Sequence, residues 1–378
     1  MPSLDALPAK LVDEGRRMAS ICNACRYCEG YCAVFPALER RLAFAEDDLA
    51  YLANLCHNCG SCYYACQYAP PHEFQLNFPE MLAQIRGETY KRYAWPRALA
   101  RAFERNGLVV SLITAASLAF FLLAMTFVID RSVLFAPHPD REGSFYAVIP
   151  HAVMAYAFGA IFLLAILALF IGAARFWRDT EEEARDFLKP GPFGQSLADA
   201  LELKYLGGGG EGCTYPGDKP SHLRRWLHHI TFYGFMLCFA ATCVAAVYHY
   251  AFGWEAPYPF WSVPVLLGTI GGMGLLIGPA GLLWLKAIRD PALSGAKQTG
   301  MDVGFIGLLL LVSVTGLMLL ALRETAAMGV LLAAHLGAVM ALFITLPYGK
   351  FVHAVYRFAA LVRYHLERKR PLPELGAE

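Results

Sequence analysis

Apolar residues gather into six long runs, at about 108–129, 146–173, 228–252, 262–287, 303–322 and 327–349, and polar residues fill the stretches between them. Each run is close to the roughly 20 residues a helix needs to cross the hydrocarbon core of a bilayer, so six membrane-spanning helices are expected. The fourth run is glycine-rich and holds Pro264 and Pro279, which predicts a kinked helix buried among its neighbours. Residues 1–107 are mixed in polarity, with helical periodicity at about 37–55 and 77–103. The expected fold is all-α. An N-terminal helical domain over 1–107 precedes a six-helix bundle over 108–356, which contains a long polar connection at 174–227 and is followed by a basic tail over 357–378.

Composition sharpens the membrane reading. The chain is 57% hydrophobic and only 17% charged, more apolar surface than one soluble core requires. A net charge of +1 offers no general basic surface, so nucleic acid is not an expected partner. The opening "MPSLDALPAKLVDEGRR" lacks the apolar core of a signal peptide, so the first domain is expected to stay in the cytoplasm. Six crossings then return the C-terminus to the same side. Lysine and arginine agree: the segments assigned inside carry Arg175, Arg178, Arg185, Lys189, Lys204, Arg224, Arg225, Lys286, Arg289, Lys350, Arg357 and Arg363, against Arg131, Arg141 and Arg323 outside. Within the long inner connection, "GGGGEGCTYPGD" has four successive glycines, but no Lys-Ser/Thr follows and no strand precedes, so a turn or docking loop is expected rather than a nucleotide cradle.

The N-terminal domain carries the chemistry. Cys22, Cys25, Cys28 and Cys32 follow the spacing C-x2-C-x2-C-x3-C, and Cys56, Cys59, Cys62 and Cys66 repeat it 34 residues later. Short two-residue loops wrap three corners of an iron–sulfur cube, and the fourth corner needs a ligand from elsewhere. On the pattern of two-cluster ferredoxins, Cys22, Cys25, Cys28 and Cys66 hold one [4Fe–4S] cluster, and Cys56, Cys59, Cys62 and Cys32 the other. Zinc also takes four thiolates, but its ribbons use pairs of C-x2-C rather than triplets with a fourth. Ala33 and Gln67 stand where bacterial ferredoxins have proline, and the helical sequence between the arrays resembles the helical ferredoxins of succinate dehydrogenase and heterodisulfide reductase. His57 and His72, beside the second array, are read as surface residues or hydrogen-bond partners of its ligands. Cys213, Cys238 and Cys243 are read as packing residues.

Histidines punctuate the apolar runs: His151, His228, His229, His249, His335 and His353. Ionisable side chains in a membrane are costly and usually functional, and paired imidazoles from facing helices ligate b-type haem. His335 and His353 are 18 residues apart, so on one continuous helix they share a face about 27 Å apart along its axis. The segment "HLGAVMALFITLPYGKFVH" resembles the last haem-binding helix of the nitrate reductase gamma subunit, matching at His335, Phe343, Pro347, Tyr348, Lys350 and His353. That resemblance pairs His353 with a histidine opening an earlier helix, for which His229 in "HHITFYG" is the better match, while Phe239 stands where the family's second histidine falls. His335 then turns to His151 as partner in an outer haem. His249 is the alternative, suited if His228 rather than His229 is the inner ligand, since His229 and His249 lie about 160° apart on an ideal helix. His151 and His249 also read as interfacial side chains bonded to water or a carbonyl.

Together, "CNACRYCEGYCAVFP", "CHNCGSCYYACQYAPPHEFQLNFP", "GGGGEGCTYPGDKPSHLRRWLHHITFYGF" and the last haem helix resemble the tricarballylate utilisation protein B family, also labelled citrate utilisation protein B. The resemblance implies a bacterial inner-membrane protein that reoxidises the reduced flavin of an FAD-dependent tricarballylate dehydrogenase through iron–sulfur clusters and haem into the quinone pool. It would be an electron-transfer subunit rather than an independent catalyst. Two other readings stay open: a quinone-linked subunit of another respiratory or heterodisulfide reductase-like complex, and a non-redox anchor or transporter with structural clusters.

Overall fold

The computed structural model describes residues 6–138, 142–293 and 296–371. Arg141, assigned to an outer loop by its charge, lies outside the described residues. The first described element is a helix that periodicity at 37–103 did not announce. Helix α1, Ala9–Cys25, buries Val12, Gly15, Met18 and Ala19 at three- and four-residue spacing and stops where Arg26 turns left-handed at φ 55°. Cys22 and Cys25 therefore sit on the last turn of a helix, not in a loop. The stretch 37–55 divides into α2, Val34–Leu38, and α3, Glu46–Leu55. Three acidic residues open α3, favourable at the positive end of its dipole. A one-turn helix, α4, Ser61–Tyr64, follows, and then α5, Phe78–Tyr93, capped by the Asn77 side chain, which accepts the Glu80 N–H at 3.3 Å. The expected helix at 77–103 ends ten residues early: Pro96 cannot donate a backbone bond, and a 3-10 turn over Arg97–Phe103 replaces it.

Six long apolar helices appear where the six runs predicted them. Helix α6, Asn106–Val128, is followed by two short helices, α7, Arg131–Leu134, and α8, Ser144–Val148. Then come α9, His151–Asp179; α11, Leu223–Phe252; α12, Val263–Ala287; α13, Ala296–Leu322; and α14, Met328–Thr345, with α10, Pro190–Leu201, inserted between α9 and α11. Helices α11 and α12 meet through small residues: a Cβ on Gly234 would stand 3.0 Å from the Gly271 carbonyl, and one on Gly278 2.4 Å from Thr231 Oγ1. Such stripes let backbones approach where lipid provides no hydrophobic drive to association. Pro279 is buried inside α12, as the glycine-rich fourth run foretold.

The sixth span departs from expectation. Around Pro347 the helix gives way to a 3-10 turn, Leu346–Tyr348, and an extended Gly349, and resumes as α15, Val352–Glu367. His335 and His353 are thus on separate helices, and the shared face computed for one continuous helix does not exist. Nor do residues 357–367 form a tail. Helix α15 buries Tyr356, Ala359, Ala360, Leu361 and Val362 in the same core as Leu38, Leu49, Leu52 and Ile85 of the cysteine domain. A polar network locks that contact. Arg41 bridges Asp48 and Glu367 at 2.6 Å each, and the Tyr51 hydroxyl donates to Glu367 at 3.1 Å. Leaving a buried charge unpaired costs about 3–5 kcal/mol. Glu367→Ala should therefore cut the thermal stability of the detergent-solubilised protein strongly, and an unchanged melting temperature would show the network to be dispensable.

Arg92 joins the domain to the bundle from the other side, pairing with Glu46 at 2.5 Å and with Asp179 at the end of α9 at 2.9 Å. Tyr93, Phe176 and Tyr356 fill the seam between α5, α9 and α15 with rings 5.5–5.9 Å apart. Cysteine domain and bundle form one packed body.

Candidate functional site

The eight array cysteines line two cavities, and each cavity draws on both arrays. Cys22, Cys25, Cys28 and Cys66 line a cavity of about 270 Å³, with Phe35 and Phe78 at its back and exposed Tyr27 and Gln67 at its mouth. Cys32, Cys56 and Cys59 line a second, tighter space of about 20 Å³, walled by Val34, Phe78, Leu82 and Tyr205. Cys62 touches both. Among the described residues, no three Cys, His, Asp or Glu side chains converge on a single-ion geometry. A single zinc draws its ligands to about 2.3 Å from one point, whereas a cube spreads its thiolates over corners, so the donor set suits the latter. Burial and neighbouring sulfurs push Cys22 and Cys28 up, Cys28 to about 12. Sulfurs so placed resist ionising together and call for a cation among them.

The connection at 174–227 closes over these cysteines. In "GGGGEGCTYPGD" Gly208, Gly209, Gly210 and Gly212 all have positive φ, and a Cβ on Gly209 would meet the Gly30 carbonyl at 3.0 Å. The loop is a docking loop, as its composition suggested. It seats at Gly60, φ 83°, whose Cβ would stand 2.5 Å from the Thr214 carbonyl. Gly60→Ala is expected to lift the loop, seen as new protease cleavage within 207–216; an unchanged digestion pattern would contradict the seating.

Cys213, read from sequence as packing, is fully buried in one apolar cluster with Cys59, and its thiol donates to the Leu206 carbonyl at 2.8 Å. The neighbouring Cys213 thiol, against burial, holds Cys59 down at about 6. Three arginines were also missed. Arg86 and Arg357 donate to the Cys56 carbonyl at 2.8 and 2.9 Å, and Arg224 donates to the carbonyls of His57 at 3.1 Å and Asn58 at 2.7 Å. A sequence clue existed in Arg224 beside the "HH" pair, but only the fold brings α5, α11 and α15 to one strand of backbone. His57 is half-buried under these arginines, its Nδ1 2.9 Å from the Leu55 carbonyl, and burial with the Arg357 and Arg224 charges keeps it well below its usual range. His72 packs on Tyr68 and Phe74 at the rim of the first cavity.

One turn before Arg357, His353 meets an imidazole of α11, and it is His228 rather than the expected His229. The rings of His228 and His353 are 6.1 Å apart. Nδ1 of His353 is tied to the Lys350 carbonyl at 2.5 Å, which leaves Nε2 as the nitrogen for a ligand. Nδ1 of His228 is buried with no hydrogen-bond partner among the described residues. With metal–nitrogen bonds of about 2 Å on either side, such a ring separation suits one metal held between two imidazoles. His229 turns to Trp226 and Tyr233 instead.

At the other end of the bundle the expected pairing fails. His335 packs under Gly316 and its Nδ1 lies 3.1 Å from Thr315 Oγ1, so it does not meet His151. His151 stacks on His249 at 3.6 Å, ring planes 23° apart, beside Tyr146 and Tyr250. Imidazole lone pairs lie in the ring plane, so stacked rings do not point across one iron, and the residues present do not fit an outer haem. Phe239 packs on Phe162, which in turn meets Phe343, filling the middle of the bundle with rings.

Six apolar spans behind a cysteine-lined helical module define a multi-pass membrane protein with an iron–sulfur type N-terminal domain. The chain belongs to the citrate utilization protein B family: that family's profile matches residues 102–374, and the profile of its Fer4-like domain matches residues 15–92. It is 53% identical over 358 residues to Citrate utilization protein B of Escherichia coli, covering 94% of this chain and 93% of that protein. No solved structure matches it.

Proposed function

We propose that this protein carries electrons from a reduced FAD-dependent dehydrogenase, tricarballylate dehydrogenase by family resemblance, to the quinone pool of the bacterial inner membrane, with its cysteine domain in the cytoplasm. The supporting observation is one of placement: surface cavity, buried cysteines, Arg357 and the His228–His353 pair follow one another from solvent to the bundle. Bound there, two [4Fe–4S] clusters and one b haem would supply the one-electron chemistry that couples a two-electron flavin to quinone. The chain's own residues do the rest. Eight thiolates would hold the clusters; Phe35, Phe78 and Leu82 exclude water; the Lys350 carbonyl orients His353; and Arg357 fixes the approach of α15 to Cys56.

The function is tested by mixing the purified protein with the reduced flavoprotein in a stopped-flow instrument. Iron–sulfur bleaching followed by growth of a b-type alpha band, then reoxidation on adding a water-soluble quinone, is expected. Flavin that stays reduced in the presence of fully loaded protein would overturn the reading. For orientation, a cysteine placed at Lys189 in a variant lacking Cys243 should react with an impermeant maleimide in inverted vesicles and not in right-side-out ones, because basic residues crowd that side.

A further inference from the structure

The two cysteine groups are unequally furnished with hydrogen-bond donors and charge. At the group near the surface, the contact to sulfur is a long one from Gln67 Nε2 to Cys25 at 3.9 Å, and nearby Arg26 and Glu29 are exposed to screening solvent. At the inner group, the Asn58 N–H points at Cys56 sulfur at 3.3 Å, Ser61 Oγ lies 3.6 Å from Cys59 sulfur, and the Cys213 thiol, which donates to the Leu206 carbonyl at 2.8 Å, lies in one buried cluster with Cys59. Arg86, Arg224 and Arg357 converge on the carbonyls of Cys56, His57 and Asn58. Arg86 is buried, and no acidic side chain is bonded to any of the three among the hydrogen bonds described.

Resting on the two-cluster function proposed above, we infer that Cys213 and its glycine-rich loop raise the reduction potential of the inner group, Cys32, Cys56, Cys59 and Cys62, above that of the surface group. Reduction adds negative charge that falls largely on the sulfurs, so donors to sulfur and nearby cations stabilise the reduced state. Burial alone works the other way, because a low-polarity surround disfavours extra charge. Directed donors and three guanidiniums reverse it. The Cys213 proton goes to the Leu206 carbonyl at 2.8 Å, and Cys59, in the same buried cluster, is a second acceptor within the thiol's reach by rotation. With Cys59 held as an iron-bound thiolate, the anionic sulfur is the stronger acceptor. The ordering makes the domain directional: an electron accepted at the surface settles on the group beside His353. The glycines of the loop serve this by letting its backbone lie against Gly30, Gly60 and Ser61, which delivers Cys213 from 150 residues away.

The test is an equilibrium redox titration of the full-length protein in detergent, followed by electron paramagnetic resonance. The signal altered by Cys25→Ser belongs to the surface group, and that altered by Cys32→Ser to the inner one. The inner signal is expected at the higher potential. Cys213→Ala should lower it while leaving the surface potential and total iron unchanged, and Cys213→Ser, which keeps a donor, should restore part of the shift. Ser61→Ala should move the same potential the same way by less, and decides the matter if Cys213→Ala loses iron. An inner potential at or below the surface one, or one that neither Cys213→Ala nor Ser61→Ala moves, overturns the inference while leaving the electron-transfer function standing. Absence of both signals from iron-replete protein would overturn that function as well.

Discussion

Cys66→Ala should abolish the same spectroscopic signal as Cys25→Ala, although 41 residues separate them, and Cys32→Ala the same signal as Cys56→Ala. Each variant should retain about four of about eight irons. The reason is the exchange of fourth members between arrays: Cys66 faces the cavity of Cys22, Cys25 and Cys28, and Cys32 that of Cys56 and Cys59. If Cys66→Ala and Cys56→Ala instead lose one common signal, each array serves its own cluster and the cavities have been misread. A metal content of one zinc per four thiolates, without a cluster signal, would remove the redox reading altogether. Retained haem absorption in all four variants would show that the losses are local.

His228→Ala and His353→Ala should each eliminate the b-type alpha band from the reduced-minus-oxidised spectrum, because a low-spin haem needs both axial nitrogens. His229→Ala should leave the band in place, since His229 packs on Trp226 and Tyr233. His335→Ala and His151→Ala should leave it as well, as neither meets a facing imidazole across an iron-sized gap. The three inner variants together discriminate sharply: a band lost in His229→Ala but kept in His228→Ala would return the ligand assignment to the nitrate reductase-like pattern. Iron–sulfur signals should survive every histidine variant, so a loss of both would mark a folding defect instead.

Much of this was legible in one dimension. The six spans are visible because lipid demands length and apolarity from each helix separately, with no help from its neighbours. The two cysteine arrays are visible because a cube's first three corners are served by residues within a few positions of one another. The helix α1 was missed for a physical reason: the centre of its buried face is Gly15, which becomes part of a helix face only by lying against Leu49, Met81 and Ile85. The choice between His228 and His229 turned on about 100° of helix rotation, which the apolar run itself leaves open. A geometric hint did exist, since His249 and His228 lie nearer one face than His249 and His229, and the structure turns both toward neighbouring imidazoles.

By itself the sequence determined the membrane class, the count and place of the apolar helices, the eight thiols and their spacing, because each depends on composition or on contacts within a turn or two of chain. Tertiary structure decided the rest: that Pro347 breaks the sixth span and sends α15 under the cysteine domain, that His228 meets His353 while His335 settles on Thr315, and that Cys213 arrives at Cys59. These are contacts between residues 20 to more than 300 positions apart. Their geometry follows from the rotation and tilt of whole helices, which are set by the small-residue seams and buried ion pairs that hold the bundle together.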